Sequence, residues 1–191
     1  MSDRPVFYYD LGSPYSYLAA ERMQSVLPVV PVWQPILLGG IWKQTGGRSW
    51  GVTPARDGHV AEVERRAGEY GLLPMRWPER WPNNTLQAMR AATFAQQIGR
   101  AVAFSLAAFR QAFAGGRDLS EIDNVLIAAA ACELHPKAVL KGIGLQSTKD
   151  RLRSATTEAY ERGVRGVPTL VIGDRLFYGD DHLEEAAAAL A

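Results

Sequence analysis

Apolar positions follow two different periods along the chain, and the change of period divides it into three parts. Val6–Tyr9 is a short unbroken run of apolar and aromatic residues, the signature of a buried strand. Gly12 breaks it, and Ser13-Pro14 supplies a helix start, with a hydroxyl cap followed by proline at the first helical position. Tyr15, Leu18, Ala19, Met23 and Val26 then recur at helical spacing, which predicts a helix to about Leu27. Val29–Trp33 reads as a second strand between Pro28 and Pro35. The opening is thus β-α-β, which favours a parallel pair joined by a crossover helix.

From Gly39 to Gly144 the strand period disappears. Gly39–Asp57 reads as irregular, being rich in Gly, Trp and Thr. Helical spacing returns with Val60, Val63, Ala67 and Tyr70, and the proline-punctuated stretch Leu73–Asn84 follows as a loop. Leu86, Met89, Thr93 and Gln97 mark the next helix, and Val102, Leu106, Phe109 and Phe113 another, ended by Gly115-Gly116. Ser120-x-x-Asp123 resembles a capping box opening a helix with Ile122, Val125, Leu126 and Ala129, and Pro136 begins a short helix. The third part returns to mixed structure. Ser147-x-x-Asp150 resembles a second capping box, leading into a helix with Leu152, Ala155, Thr156 and Ala159. Thr169–Ile172 and Arg175–Tyr178 read as strands joined by Gly173-Asp174, a two-residue hairpin signal. Asp181-x-x-Glu184 precedes a last, alanine-rich helix. With the helical block set aside, the two ends assemble into a four-stranded sheet with flanking helices. This is the thioredoxin layout, formed by residues 1–38 and 145–191, with residues 39–144 as a large all-helical insertion.

Composition narrows the function. The chain has 191 residues, 47% of them hydrophobic, enough for a core without covalent staples. Twenty-one Lys+Arg against twenty Asp+Glu leave a formal charge of +1, so nothing points to nucleic acid or an anionic membrane as partner. No apolar run nears the ~20 residues needed to span a bilayer. The opening MSDRPVFYYD lacks the pattern of a signal peptide, and the expectation is a soluble cytoplasmic protein. Cys132 is the single cysteine, which excludes an internal disulfide, a Cys-x-x-Cys pair and a cysteine-based zinc site. It falls in a helix and reads as a small packed residue. His59, His135 and His182 match no metal spacing and read as solvated or locally bonded, with no metal expected. Arg65-Arg66 and Arg151/Arg153 read as solvated helix faces.

Three short segments are candidates for chemistry. Ser13-Pro14-Tyr15-Ser16 stands where a thioredoxin layout carries its redox pair. A helix N-terminus offers free N–H donors and a positive dipole end, and a hydroxyl there can donate to an external thiolate. Ser13 as a plain N-cap is the competing reading. Gly166-Val167-Pro168-Thr169 opens a strand. Such a proline is compatible with a cis bond, and the backbone before it can take a peptide-like ligand as an extra strand, although an ordinary edge proline fits equally. At Gly179-Asp180-Asp181, free N–H groups can take a carboxylate and an aspartate an ammonium group, or Asp181 can simply cap the helix. Trp77 and Trp81 read either as walls for a flat ligand or as pins holding the loop to the core.

Taken together these segments resemble a family. FYYDLGSPYSYL, PILLGGIWKQTGG, TPAR, NTLQAMRAA, GVPT and FYGDDHL occur in the order found in kappa-class glutathione transferases and bacterial 2-hydroxychromene-2-carboxylate isomerases, both of the DsbA-like branch of the thioredoxin fold. The resemblance covers nearly the whole chain. It implies glutathione as cofactor, extended along the backbone of Val167 before Pro168. Its thiolate would be held by Ser13 as the catalytic residue, its peptide reached by Arg56, and its γ-glutamyl end met by Asp180 and Asp181. It further implies a substrate pocket with Tyr15, Trp77 and Asn84, a small aromatic or electrophilic substrate, and a homodimer. The short C-terminus resembles the isomerases, which implies reversible thiolate addition to a conjugated aromatic-degradation intermediate. A transferase conjugating electrophiles, or a non-redox DsbA-like protein that binds thiols or peptides, are the alternatives. Thiol–disulfide exchange is excluded, since no second cysteine could resolve a mixed disulfide. The chain departs from the family pattern at four places. Gly47 stands for an asparagine, Asp180 for a small polar residue, His182 for an arginine, and His59 for an aromatic residue.

Overall fold

The computed structural model describes residues 4–190. Its elements in chain order are β1 (Val6–Tyr9), α1 (Pro14–Val26), β2 (Val32–Pro35), α2 (Leu38–Thr45), α3 (Arg56–Glu69), α4 (Leu86–Gln97), α5 (Ala101–Phe113), α6 (Ile122–Ala131), α7 (Pro136–Gly144), α8 (Gln146–Glu161), β3 (Thr169–Ile172), β4 (Arg175–Tyr178) and α9 (Leu183–Ala188). Short 3-10 turns at Trp50–Val52 and Asp180–His182 complete it. The sheet runs β2-β1-β3-β4, parallel between β1 and β2 and antiparallel elsewhere. This is the thioredoxin arrangement expected from the β-α-β opening and the terminal hairpin. Among the described residues, no helix is long and apolar enough to cross a membrane.

The period of two in β1 gives the sheet its two buried faces. Phe7 and Tyr9 share one face, where they stack at 5.3 Å and meet Trp33 edge-on at 5.0 and 5.6 Å. Tyr9 reaches Phe109 of α5 at 5.9 Å, and its hydroxyl shares a 2.6 Å hydrogen bond with Ser105. Tyr8 points to the other face, among Ile36, Ile41, Ala159 and Val171. Each fully buried ring removes enough apolar area to contribute about 2 kcal/mol. The larger cluster continues without a break from the sheet through α1 into α4, α5 and α6.

Four local expectations give way to tertiary structure. The second strand is Val32–Pro35, not Val29–Trp33. Its register pairs Val6 with Val32, while Val29 and Val30 lie 44% and 52% exposed ahead of Pro31. Pro35 fits because β2 is an edge strand. The stretch Gly39–Asp57 is not wholly irregular, since α2 occupies Leu38–Thr45. Its start is held from a distance, with Leu38 N–H donating to Asp10 Oδ2 at 2.9 Å and Leu37 N–H to Thr156 Oγ1 at 3.0 Å. Neither expected capping box forms. Ser120 turns back onto Asp118, donating from N and Oγ at 2.8 and 2.6 Å, and Ser147 lies inside α8, whose cap residue is Leu145. Asp181 does not cap α9 either, because its carboxylate is drawn to Arg66 at 3.3 Å.

Candidate active site

Ser13 performs the capping role and retains a further capacity. Its Oγ accepts the Ser16 N–H at 3.1 Å, and its own N–H donates to the Asp10 carbonyl at 3.0 Å. The Ser13 O–H donates to no protein acceptor among the described residues, although the residue is only 8% exposed. It lies where a cavity of about 350 Å³ meets a second of about 210 Å³. The smaller cavity shares Tyr15, His59, Val167 and Tyr178 with a third, of about 270 Å³, that ends at Asp181 and His182. The three form one trough with Ser13 along its floor.

Asp10, at the end of β1, holds the turn beneath Ser13. One carboxylate oxygen accepts from Gly12 N–H at 2.9 Å and Thr85 Oγ1 at 3.0 Å, and the other accepts from Leu38 N–H. A single buried carboxylate thus ties β1, the Gly12–Ser13 turn, α2 and the start of α4 together. Burial pushes its carboxyl above the usual carboxylate range, against the pull of these three donors. Sequence reading did not single it out. Its position, three residues before Ser13 at a strand end, was the available signal.

The Val167-Pro168 bond is cis. The N–H and C=O of Val167 have no hydrogen-bond partner among the described residues, and Val167 lines both cavities on its side of Ser13. Buried backbone groups are almost always paired, so this residue is open to an extended peptide laid alongside it. Gly166 next to it lets the Tyr178 ring close over this turn, since a Cβ there would stand 2.6 Å from the ring and displace it. The 210 Å³ cavity is also walled by Arg48 and Arg165 and by no carboxylate, a field that favours a thiolate on that side of Ser13, while Asp10 lines the 350 Å³ cavity with its carboxylate held by its three donors.

The far end of the trough differs from the sequence expectation. Asp180 is fully buried, and its carboxylate is already engaged, by Arg66 at 3.0 Å and by the Tyr70 hydroxyl at 3.0 Å. It therefore cannot serve as a free partner for an ammonium group, and its carbonyl is engaged as well, accepting from Arg22 Nη1 at 2.9 Å. Burial holds its carboxyl above the usual range despite Arg66. Asp181 is half-exposed and faces the cavity beside Arg66. Arg56 is displaced from its expected place: it sits at the start of α3, pairs with neighbouring Asp57 at 3.3 Å, and lines none of the three cavities. Arg66, one helix face further on, lines the trough instead. It was read as a solvated helix residue, which holds for Arg65 but not for Arg66, whose guanidinium joins Glu62 at 2.6 Å and both aspartates.

The aromatic residues divide in the same way. Tyr15 lines the trough, its hydroxyl sharing a 2.8 Å hydrogen bond with His59 Nδ1, and burial pushes its hydroxyl up to about 12. His59 in turn stacks on Trp50 at 4.7 Å. Trp81 lines the cavity and donates to the Gly12 carbonyl at 3.1 Å. Trp77 does not line it. The ring stands behind Trp81, 4.9 Å away, and its indole donates to Glu64 at 2.8 Å, so it packs the loop rather than meeting a ligand. Asn84 lines the 350 Å³ cavity, with its side-chain oxygen accepting from Leu86 N–H. Gly47 faces Trp42, and a Cβ at that position would lie 2.5 Å from the indole. Trp42 thus occupies the space a side chain at position 47 would need, and it walls both cavities that meet at Ser13. Cys132 lies away from the trough at the end of α6, its Sγ on the carbonyls of Ala128 and Ala129.

Comparison with known proteins agrees with this geometry. The description "DSBA-like thioredoxin domain" matches residues 6–191. A 2-hydroxychromene-2-carboxylate isomerase from Sphingobium xenophagum is 29% identical over 188 residues, covering 93% of each chain. Glutathione S-transferase kappa 1 of Rattus norvegicus is 26% identical over 200 residues, covering 96% of this chain and 88% of that one. A solved structure of a 2-hydroxychromene-2-carboxylate isomerase superposes with a TM-score of 0.88 at 23% identity, over 97% of this chain and 93% of the other. With β1, the Ser13 helix start and the cis-Pro168 turn placed as they are, the chain belongs to the DSBA-like thioredoxin domain family.

Proposed function

We propose that the protein is a glutathione-dependent isomerase acting on a conjugated aromatic-degradation intermediate. The observation that carries this reading is the unclaimed Ser13 hydroxyl, buried at a helix N-terminus and beside the open backbone of Val167. Glutathione, when bound, supplies a sulfur nucleophile that adds to a conjugated double bond, permits rotation about it, and departs. The residues present fit such a peptide. Val167 N–H and C=O pair with its backbone, and Asp181 with its ammonium group. Arg66 and the Asp181 N–H face its γ-glutamyl carboxylate. Ser13 donates its O–H to the sulfur, and Arg48 and Arg165 add positive potential. Both lower the cost of holding the sulfur as an anion. His59, joined to Tyr15, is the imidazole on the cavity wall that can exchange a proton with the acceptor. The 350 Å³ cavity beyond Ser13 takes the flat acceptor between Trp42, Leu38 and Leu86, with Asn84 as a polar contact.

The similarity to both isomerases and kappa-class transferases supports glutathione chemistry, and the stoichiometry of the thiol separates the two. Calorimetry with glutathione should give one saturable site per chain at millimolar concentration or below, absent heat being the result that ends this reading. Product analysis with a conjugated benzylidene acceptor should return the thiol unconsumed. One-for-one consumption would assign the transferase reaction instead.

A further inference from the structure

A fourth cavity, of about 250 Å³, adjoins the substrate end of the trough and shares Leu37, Gly40, Lys43 and Leu86 with it as common walls. Its other walls come from α4 and α8, which α2 packs against. Four cations line it: Lys43 of α2, Arg90 of α4, and Lys149 and Arg153 of α8. No carboxylate does. Arg153 is paired with Asp150 at 2.8 Å, whereas Lys43, Arg90 and Lys149 have no ion pair or side-chain hydrogen bond among the described residues. Arg90 and Lys149 are half-buried, which holds their stems against the cleft wall, while Lys43 is exposed at its rim. In a chain whose formal charge is only +1, three uncompensated cations from three different helices converge on one cleft. Like charges lining one cleft raise its positive potential, and a visiting anion offsets it.

We propose that this cleft is a subsite for a dianionic group on the acceptor substrate, a phosphate monoester or a paired carboxylate, whose conjugated part lies in the neighbouring 350 Å³ cavity. This rests on the reading of that cavity as the acceptor site. The charge count selects the dianion. Three unpaired cations exceed what a single carboxylate can offset, and Arg90 offers the fork geometry that oxyanions take. At 0.15 M salt, attraction between exposed charges more than about 8 Å apart is largely screened, so binding that persists there reports close contacts in the cleft rather than the general surface potential.

The test is calorimetric, on the full chain at 0.15 M salt, with phenyl phosphate, phthalate and benzoate as probes, and with glutathione titrated separately. Either dianion should bind at least tenfold more tightly than benzoate. The stronger of phenyl phosphate and phthalate identifies the source of the charge. Arg90→Gln and, on the more accessible helix, Lys149→Gln should each weaken the dianion at least fivefold while leaving glutathione binding unchanged. Equal binding of benzoate and the dianions, or dianion binding indifferent to both substitutions, overturns the subsite. Loss of glutathione binding by the unmodified protein would instead overturn the proposed function and leave the anion measurement standing.

Discussion

Arg66→Met removes the cation from Asp180 while keeping most of the stem volume. In the native fold the guanidinium is 3.0 Å from Asp180 and 3.3 Å from Asp181, and its Nε is 2.6 Å from Glu62. Asp180 has no exposed surface, so without Arg66 its carboxylate keeps only the Tyr70 hydroxyl as a side-chain partner. Breaking a buried pair from one side costs about 3–5 kcal/mol. The Arg66 side chain is 19% exposed and water can partly replace it, so the expectation is about 3 kcal/mol, the low end of that range. The pH dependence has a definite sign. Burial already lifts the Asp180 carboxyl above its ordinary value, so folding takes up a proton there, and this contribution to stability is lost as pH rises through the raised value. Removing Arg66 raises that value further. The deficit of the variant should therefore be small where Asp180 is protonated in both proteins and should grow as pH climbs. Urea denaturation at pH 5, 6.5 and 8 measures it, and adding Asp180→Asn should recover most of the loss at pH 8. A deficit that is flat with pH, or one untouched by Asp180→Asn, would refute the reasoning.

Other consequences are more local. Ser13→Ala should lower thiol-dependent turnover about 100-fold, the usual loss for one donor aimed at developing charge, while the lost cap costs only about 1 kcal/mol by thermal melting. Gly47→Asn should push Trp42 from its place between the two cavities, seen as shifted tryptophan fluorescence and a raised acceptor KM; Trp42→Ala, which removes the same wall, should raise that KM too, and adding Gly47→Asn to it should change the KM little further. Cys132→Ala should leave turnover unchanged, because its sulfur lies against carbonyls at the end of α6, away from the trough, and the proposed function takes its sulfur from glutathione.

Much of this molecule is determined by short-range pattern. The unbroken run Val6–Tyr9, the Ser13-Pro14 start and the Gly173-Asp174 hairpin each act through their own backbone preferences, and each forms where the sequence places it. The order of those elements then leaves few topologies, and the single cysteine leaves no Cys-x-x-Cys pair at the helix start. Helix α2 was not legible, because what fixes its first turn is the Asp10 carboxylate, 28 residues earlier in the chain. The same reason hides the site's cations and anions. Arg56 and Arg66 have similar surroundings in sequence, yet the turn of α3 aims only Arg66 at Asp180, 114 residues away. Trp77 and Trp81 are four residues apart in a repeated Trp-Pro pattern, and only packing against Gly12 and Trp50 decides that Trp81 meets the cavity while Trp77 stands behind it. Local preference sets which elements exist and in what order. Which charged and aromatic side chains face one another depends on helix orientation across the core, and only the tertiary structure decides that.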